Sequence, residues 1–135
     1  MAWFLVPVAG LAQSETALES LPRPETAAVP LKEAPVLDGD VFNDPAWQEA
    51  IPITGFTQVQ PLSGNAASKR TEVRIGFTET ALWIAVIAYD SEPQEIIVSE
   101  ARRDSSLDET DSFRFVIDGF LDRQNGYVFG TNPTG

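Results

Sequence analysis

The alternation of hydrophobic and polar positions is clearest between Thr71 and Asp90, where it predicts two strands joined by a tight polar turn. In the first strand, Val73, Ile75 and Phe77 alternate with polar or small residues, which is the period of two that marks a strand with one buried face. The second strand, Leu82 to Tyr89, is apolar on both faces. A strand of this kind is usually central in its sheet or lies between two layers.

A second hairpin is predicted further along the chain. Residues 112–120 alternate again, residues 122–126 form a turn, and residues 126–131 supply the pairing strand. Shorter strand-like runs occur at residues 36–37, 51–60 and 96–98. Short strands with turns at this spacing and almost no helix predict an all-β fold, an antiparallel β-sandwich. Because the sequence stops directly after a strand, we expect this sandwich to be incomplete at its C-terminus and the chain to be a fragment of a longer protein.

One short N-terminal helix is predicted at the start of the folded part. Asp44 is suited to the N-cap, Pro45 to the first helical position, and Glu49 continues the helix. Such a helix is too short to be stable alone. We therefore expect Trp47 to pack it onto the sandwich, with sugar stacking by the same ring as the alternative.

The N-terminal third of the sequence has a different character. Residues 1–12 form a short apolar run with small residues before Gln13, which resembles a secretory signal peptide although the usual basic residues ahead of it are missing. Residues 13–34 are rich in proline and acidic residues without hydrophobic periodicity, which predicts a disordered, mobile linker. We therefore expect export, with residues 35–135 as the folded domain.

Composition excludes several classes of function. The net charge of −11 and the scatter of only 9 basic residues argue against nucleic acid as a partner. The sequence has no Cys and no His, which excludes thiolate nucleophiles, Ser-His-Asp triads and zinc sites built on those side chains. Any bound metal must be held by oxygen atoms, and any catalysis must use carboxylates, Tyr, Ser or Lys.

The polar stretch from Arg102 to Asp111 is the main candidate for a site, and calcium is one hypothesis for it. A hard cation takes six to eight oxygen ligands from such a loop, although the spacing is not that of an EF-hand. No other cofactor is indicated. The candidate calcium ligands are Asp104, Asp108, Glu109 and Asp111.

Two further hypotheses concern the same stretch. In the first, guanidinium, carboxylate and amide groups bind sugar hydroxyls, with Arg102, Arg103, Asp111 and Asn132 as the candidates. In the second, the two arginines form exposed ion pairs with Asp104 and Asp111, worth roughly 0–1 kcal/mol each, and only orient the loop.

The order of several short motifs resembles a known family. The Leu-Asp-Gly turn at 37–39 is followed by Asp-Pro-Ala-Trp at 44–47, Thr-Glu-Val at 71–73 and Ala-Leu-Trp-Ile at 81–84. Arg-Arg-Asp at 102–104, Asp-Ser-Phe at 111–113, Val-Ile-Asp at 116–118, Tyr-Val-Phe at 127–129 and Asn-Pro at 132–133 complete the set. Together they are similar to family 9 carbohydrate-binding modules, in particular those at the N-terminus of large bacterial envelope proteins with a C-terminal domain of unknown function.

This resemblance implies a jelly-roll-like β-sandwich that binds sugars without cleaving them, in the periplasm or outer membrane of a Gram-negative bacterium. Members of the family hold the sugar between two aromatic rings, for which Trp83 is a candidate here, although a place in the core is its other interpretation. The modules accompany glycoside hydrolases, so the family is linked to carbohydrate catabolism. The later strands of the family domain are missing from this sequence.

The sequence therefore supports three hypotheses about function. The first is a non-catalytic carbohydrate-binding module of a larger exported protein, with a carbohydrate and the missing C-terminal domain as partners. The second is a structural, plug-like domain that docks on an outer-membrane barrel and binds no sugar. The third is an accessory module of a glycoside hydrolase. We expect no catalysis by this chain itself. The alternative that its parent protein is associated with O-glycosyl hydrolase activity is retained.

Overall fold

The computed structural model describes residues 25–99 and 102–135. The predicted signal segment 1–12 and residues 13–24 of the predicted linker lie outside this range. The described part of the chain is rich in strands and contains two small sheets, so the β-rich class is confirmed. It divides into two compact units: the first contains residues 25–56 and 71–87, and the second contains residues 57–70 together with the described residues from 88 to 135.

The first unit contains a three-stranded sheet in the order β1, β2, β3, formed by Val29–Pro30, Thr71–Phe77 and Leu82–Ala88. β1 runs parallel to β2, with Val29 opposite Gly76. β2 and β3 form the hairpin that the sequence predicts, and the N–H of Thr78 donates to the carbonyl of Ala81 across its turn. Among the described residues β2 is central and the doubly apolar β3 lies at the edge, so a central position for β3 is wrong for this sheet. A position of β3 between two layers stays a prediction.

β1 also changes the expected start of the folded part. Val29–Pro30 falls within the segment predicted to be a linker, yet it pairs with β2, and the N–H of Leu31 donates to the carbonyl of Phe77 at 2.8 Å. The sheet therefore begins before Pro35. By contrast, the strand expected at Val36–Leu37 does not form, and Leu37 is 88% exposed.

The predicted N-terminal helix is a single 3-10 turn, Pro45–Trp47, and no α-helix occurs in the described residues. Asp44 caps this turn as expected, because its carboxylate accepts a hydrogen bond from the N–H of Ala46 at 2.9 Å. A turn this short gains its stability from packing rather than from its own hydrogen bonds. No helix among residues 25–99 and 102–135 has the length and apolar character needed to cross a bilayer.

The core of the first unit lies around Trp47. Trp47, Ala50 and Ala85 are buried, and the side chains packed against them are Val29, Leu31, Val41 and Trp83. Leu31 packs directly on β2 at Gly76, where a Cβ atom would meet the Leu31 side chain at 2.5 Å. The absence of a side chain at Gly76 thus permits β1 to approach the central strand.

The second unit contains an antiparallel pair, β4 (Phe113–Ile117) and β5 (Tyr127–Thr131), which is the second predicted hairpin. A second 3-10 turn occurs at Pro93–Glu95. Residues 96–98, predicted as a short strand, are not in a sheet, and residues 51–60 contribute isolated bridges at Ile53 and Thr57 instead of a strand.

Candidate ligand-binding site

The second unit contains an open cavity of about 660 Å³ between a polar loop and one face of the β4–β5 hairpin. The loop, residues 102–108, forms one side. The strands and the chain that follows them form the other side, through Arg114, Val128, Gly130, Thr131, Asn132 and Gly135.

Strand register decides which side chains reach the cavity. Arg114 lies opposite Gly130, and Val116 lies opposite Val128, so these four residues share one face of the hairpin. The other face carries the aromatic residues, and the rings of Phe115 and Phe129 stack there with their centroids 5.2 Å apart. The alternation seen in the sequence thus separates the face that carries Arg114 and Val128, next to the cavity, from an aromatic face.

Leu107 brings the loop into contact with the hairpin. A Cβ atom at Gly130 would lie 2.5 Å from Cδ1 of Leu107. The Leu107 side chain therefore occupies the space next to Gly130, which has no side chain of its own. Leu107 is half-buried, unlike most of its neighbours in the loop. The loop is therefore held to the strand by an apolar contact as well as by polar ones.

The polar anchor of the loop is Asp108. Its Oδ1 lies 3.0 Å from Nη1 of Arg114, and its Oδ2 accepts a hydrogen bond from the Ser106 hydroxyl at 2.9 Å. The Ser106 hydrogen bond, followed by that from Arg114, lowers the pKa of Asp108 below its ordinary value. Asp108 thus stays ionised at neutral pH and connects the loop to β4.

Arg102, Arg103 and Asp104 form a tight turn on the loop side of the cavity. The N–H of Ser105 donates to the carbonyl of Arg102 at 3.2 Å, and Asp104 has a left-handed φ of 61°. Nε of Arg103 lies 3.4 Å from Asp104, but the Arg103 side chain is 94% exposed. An ion pair in water at this exposure contributes little to stability, so Arg103 remains accessible to a ligand.

Asn132 closes the opposite side of the cavity and is half-buried. Its carboxamide oxygen accepts hydrogen bonds from the N–H and the hydroxyl of Thr134, at 3.0 and 2.7 Å. These bonds fix the orientation of the amide. Of the candidate sugar ligands, the structure therefore brings together Arg102, Arg103 and Asn132.

Asp111, the remaining candidate sugar ligand of this stretch, is not among the residues that line the cavity. Its Oδ2 accepts a hydrogen bond from the N–H of Ile97 at 2.8 Å, while its own N–H donates to the carbonyl of Ile97 at 2.9 Å. The hydroxyl of Thr110 also donates to that carbonyl. Asp111 therefore connects two segments of backbone and acts as a structural residue.

The calcium hypothesis is not supported by the arrangement of the carboxylates. In the described residues, no three acidic side chains converge as they would around a metal ion. Asp108 is paired with Arg114, and Asp111 is bound to Ile97. Asp104 lies beside Arg103, and Glu109 does not line the cavity. Asp108 and Asp111 thus serve the structure of the loop.

Trp83 belongs to the core of the first unit rather than to the cavity. It packs against the buried cluster around Trp47, and its indole Nε1 donates to the Thr78 hydroxyl at 3.3 Å. The structure therefore places Trp83 where its other interpretation, a core side chain, puts it. No aromatic ring lines the cavity in the part of the chain that is described.

Several residues that line the cavity were not predicted as site residues, among them Leu107, Arg114 and Gly130. The alternation of β4 carried a signal for Arg114, because it placed this side chain on the face opposite the phenylalanines. The register that sets Gly130 beneath Leu107 left no signal in the sequence, since it depends on pairing across the hairpin.

Comparison with known proteins finds no matching family model, no matching curated protein and no matching solved structure.

Proposed function

We propose that this chain is a non-catalytic carbohydrate-binding module of a larger exported protein, and that its ligand binds in the cavity between loop 102–108 and the β4–β5 hairpin. The observation that carries this proposal is the lining of the cavity. Polar residues of the loop and of the chain at the end of β5, namely Arg102, Arg103, Thr131 and Asn132, line one concave surface there. Groups of this kind, held in fixed positions, are those that select among sugar hydroxyls.

The electrostatics of the loop favour binding over hydrolysis. A glycosidase needs one carboxyl group with a raised pKa to protonate the leaving group. The carboxyl group that Ser106 and Arg114 hold in the cavity, Asp108, has a lowered pKa instead. Asp108 is therefore unsuited to act as a general acid at neutral pH, and the loop is better suited to hold a ligand.

The β-sandwich that the sequence predicts is part of this proposal. Each unit offers an antiparallel hairpin with an apolar face, and such faces are stabilised when a second layer covers them. Export to the periplasm or outer membrane is likewise proposed, on the basis of the apolar segment 1–12. Fractionation of cells that express the chain with and without residues 1–12 tests export directly.

A titration of the purified chain with soluble glycans, followed by backbone amide shifts, tests sugar binding. We expect shifts confined to residues 102–108 and 130–132. The matched variants are Gly130→Ala, whose Cβ displaces Leu107 and moves the loop, and Gly119→Ala, whose Cβ meets nothing within 4 Å. Binding should be weakened in the first variant and unchanged in the second. A chain that binds none of the glycans contradicts the proposal.

A second candidate function, docking on another domain of the same protein, is favoured by the exposed apolar residues of the second unit. Val128 is 70% exposed and Tyr127 is 63% exposed, and both are on β5. Amide hydrogen exchange, measured on the chain alone and on the longer protein, tests this docking. Slower exchange of the β5 amides in the longer protein would support docking, and equal rates in both would count against it.

A further inference from the structure

The loop that joins β4 to β5 contains an asparagine directly before a glycine, at Asn125 and Gly126. Asparagine is among the thermolabile residues, because the backbone nitrogen of the next residue can attack its carboxamide carbon. Glycine obstructs this attack least, since it has no side chain and the widest range of backbone angles. Asn125 is also exposed to solvent, where water can complete the reaction. These two residues therefore form a candidate site of chemical modification.

The reaction is a ring closure followed by hydrolysis. The nitrogen of Gly126 forms a bond to Cγ of Asn125, the bond from Cγ to Nδ2 breaks, and the amide leaves as ammonia with the proton of the Gly126 N–H. Water then opens the cyclic imide at either of its carbonyl carbons. Cleavage of the new bond leaves an aspartate, and cleavage of the original peptide bond leaves an isoaspartate, whose main chain is longer by one carbon.

Asp122 holds the Asn125 side chain in the folded loop. Its Oδ2 accepts a hydrogen bond from Nδ2 of Asn125 at 3.0 Å, and its Oδ1 accepts one from the N–H of the same residue at 2.9 Å. The hydrogen bond from the carboxamide is the first cause of the lowered pKa of Asp122, so this carboxylate stays ionised at neutral pH. Because the bond stabilises the intact amide and hinders rotation of the carboxamide, it slows ring closure.

Gly126 is required by the packing of the hairpin. A Cβ atom at this position would lie 2.6 Å from Cγ1 of Val116 and 3.2 Å from the carbonyl oxygen of Ile117. The loop thus needs, after Asn125, the residue that makes this asparagine most reactive. β5 begins at Tyr127, which lies opposite Ile117. The extra main-chain carbon of an isoaspartate would therefore enter the chain just before the first pair of the β4–β5 ladder.

We propose that Asn125 is a site of spontaneous deamidation and that Asp122 slows the reaction by holding its carboxamide. The chain contains an internal reference for this reaction. Asn43 is held in the same way, since Asp40 accepts hydrogen bonds from its N–H at 3.2 Å and from its Nδ2 at 2.7 Å. The residue after Asn43 is Asp44, whose side chain hinders the attack. The two asparagines thus have matching hydrogen bonds and differ in the residue that follows.

Peptide mapping by mass spectrometry, after incubation of the full chain at neutral pH, measures the conversion of each asparagine to aspartate and isoaspartate. We expect Asn125 to convert faster than Asn43. Asp122→Ala should raise the rate at Asn125 about three- to tenfold, the factor that corresponds to the loss of one exposed hydrogen bond. The matched control is Asp40→Ala, in which Asn43 should still convert more slowly than Asn125 does in Asp122→Ala.

Conversion at Asn125 that is no faster than at Asn43 overturns the modification site. An unchanged rate at Asn125 in Asp122→Ala overturns the role of Asp122. Backbone amide shifts of β4 and β5 show whether the hairpin of Asp122→Ala is intact. If it is not, Asp122→Asn, which keeps a neutral acceptor oxygen, takes its place. A rate above that of the wild-type chain is then expected, and a rate equal to it contradicts the role of Asp122.

Discussion

Arg74 and Ala50 are joined by a 2.6 Å hydrogen bond from the guanidinium Nη1 to the backbone carbonyl oxygen. Arg74 is on the central strand β2, and Ala50 follows the 3-10 turn that carries Trp47. The same Nη1 also lies 3.5 Å from the carbonyl of Trp47, and Nη2 lies 3.7 Å from the carboxylate of Glu72, which is only 5% exposed. One side chain therefore fixes the segment containing Trp47 to the sheet.

Replacing Arg74 by Met should destabilise the chain by about 2 kcal/mol, because it removes charge-assisted hydrogen bonds to two carbonyls and the counter-charge of Glu72. Urea unfolding followed by tryptophan fluorescence measures the change. The control is Lys69→Met, which removes an ion pair to Asp90 in which the lysine side chain is about half exposed. Equal losses of unfolding free energy in the two variants would show that the contacts of Arg74 stabilise the chain no more than an exposed ion pair does.

Gly76→Ala should cost about 1–3 kcal/mol, since the new Cβ would lie 2.5 Å from Cδ2 of Leu31 and force that side chain out of its place in the core. The double variant Gly76→Ala, Leu31→Ala isolates the clash. We expect the glycine substitution to cost less in the Leu31→Ala background than in the wild-type chain, measured by denaturant unfolding. Strictly additive effects of the two substitutions would contradict this.

Loop 102–108 should become more mobile at low pH. The pKa of Asp108 in the folded chain is below its ordinary value of 3.8, so the unfolded chain binds this proton more readily. The contribution of ionised Asp108 to the stability of the fold is thus fully present when the pH is above that ordinary value. It is lost as the pH falls through the lower pKa of the folded chain. Amide shifts of residues 102–108 recorded against pH should change in that range. In Asp108→Asn this pH-dependent change should be absent, and its persistence would assign the transition to another group.

Trp83→Phe should lower stability without changing ligand affinity. The substitution removes the hydrogen bond from Nε1 to Thr78 and leaves a smaller ring in the core, which we expect to cost about 1–2 kcal/mol. Denaturant unfolding and a glycan titration of the same sample measure both properties. A loss of glycan affinity in a variant that remains folded would return Trp83 to the site as a stacking residue.

Local hydrophobic periodicity was sufficient to predict both hairpins. Strands β2, β3, β4 and β5 fall where residues alternate or run apolar over five to seven positions. The position of β3 could not be predicted in the same way. Its two apolar faces suggested a central strand, but the neighbour that makes β2 central is β1, a pair of residues in a segment without periodicity. Pairing between residues so distant in sequence leaves no local pattern.

The same limit explains the mixed result for the candidate site. Arg102 and Arg103 were candidates because they lie in the main polar stretch, and Asn132 because it lies in a motif of the resemblance; all three line one cavity. Asp111 was a candidate ligand and Arg114 was not, because composition cannot distinguish a carboxylate that binds backbone from one that faces a ligand. Glu72 was expected on a solvent-facing side of β2, yet it is buried beside Arg74, since a buried carboxylate is stable only with such a partner.

Pro30 gives β1 a property that bears on the behaviour of the chain at high concentration. Leu31 directs its N–H toward β2, so the preceding residue has its backbone nitrogen on the outer side of the sheet, where proline has no hydrogen to donate. The outer border of the sheet therefore lacks a donor in the middle of its short length. In the described part of the chain β1 is the outer strand, and a strand added there by a second molecule would lack the hydrogen bond from residue 30. Pro30 therefore disfavours intermolecular β-pairing at this border.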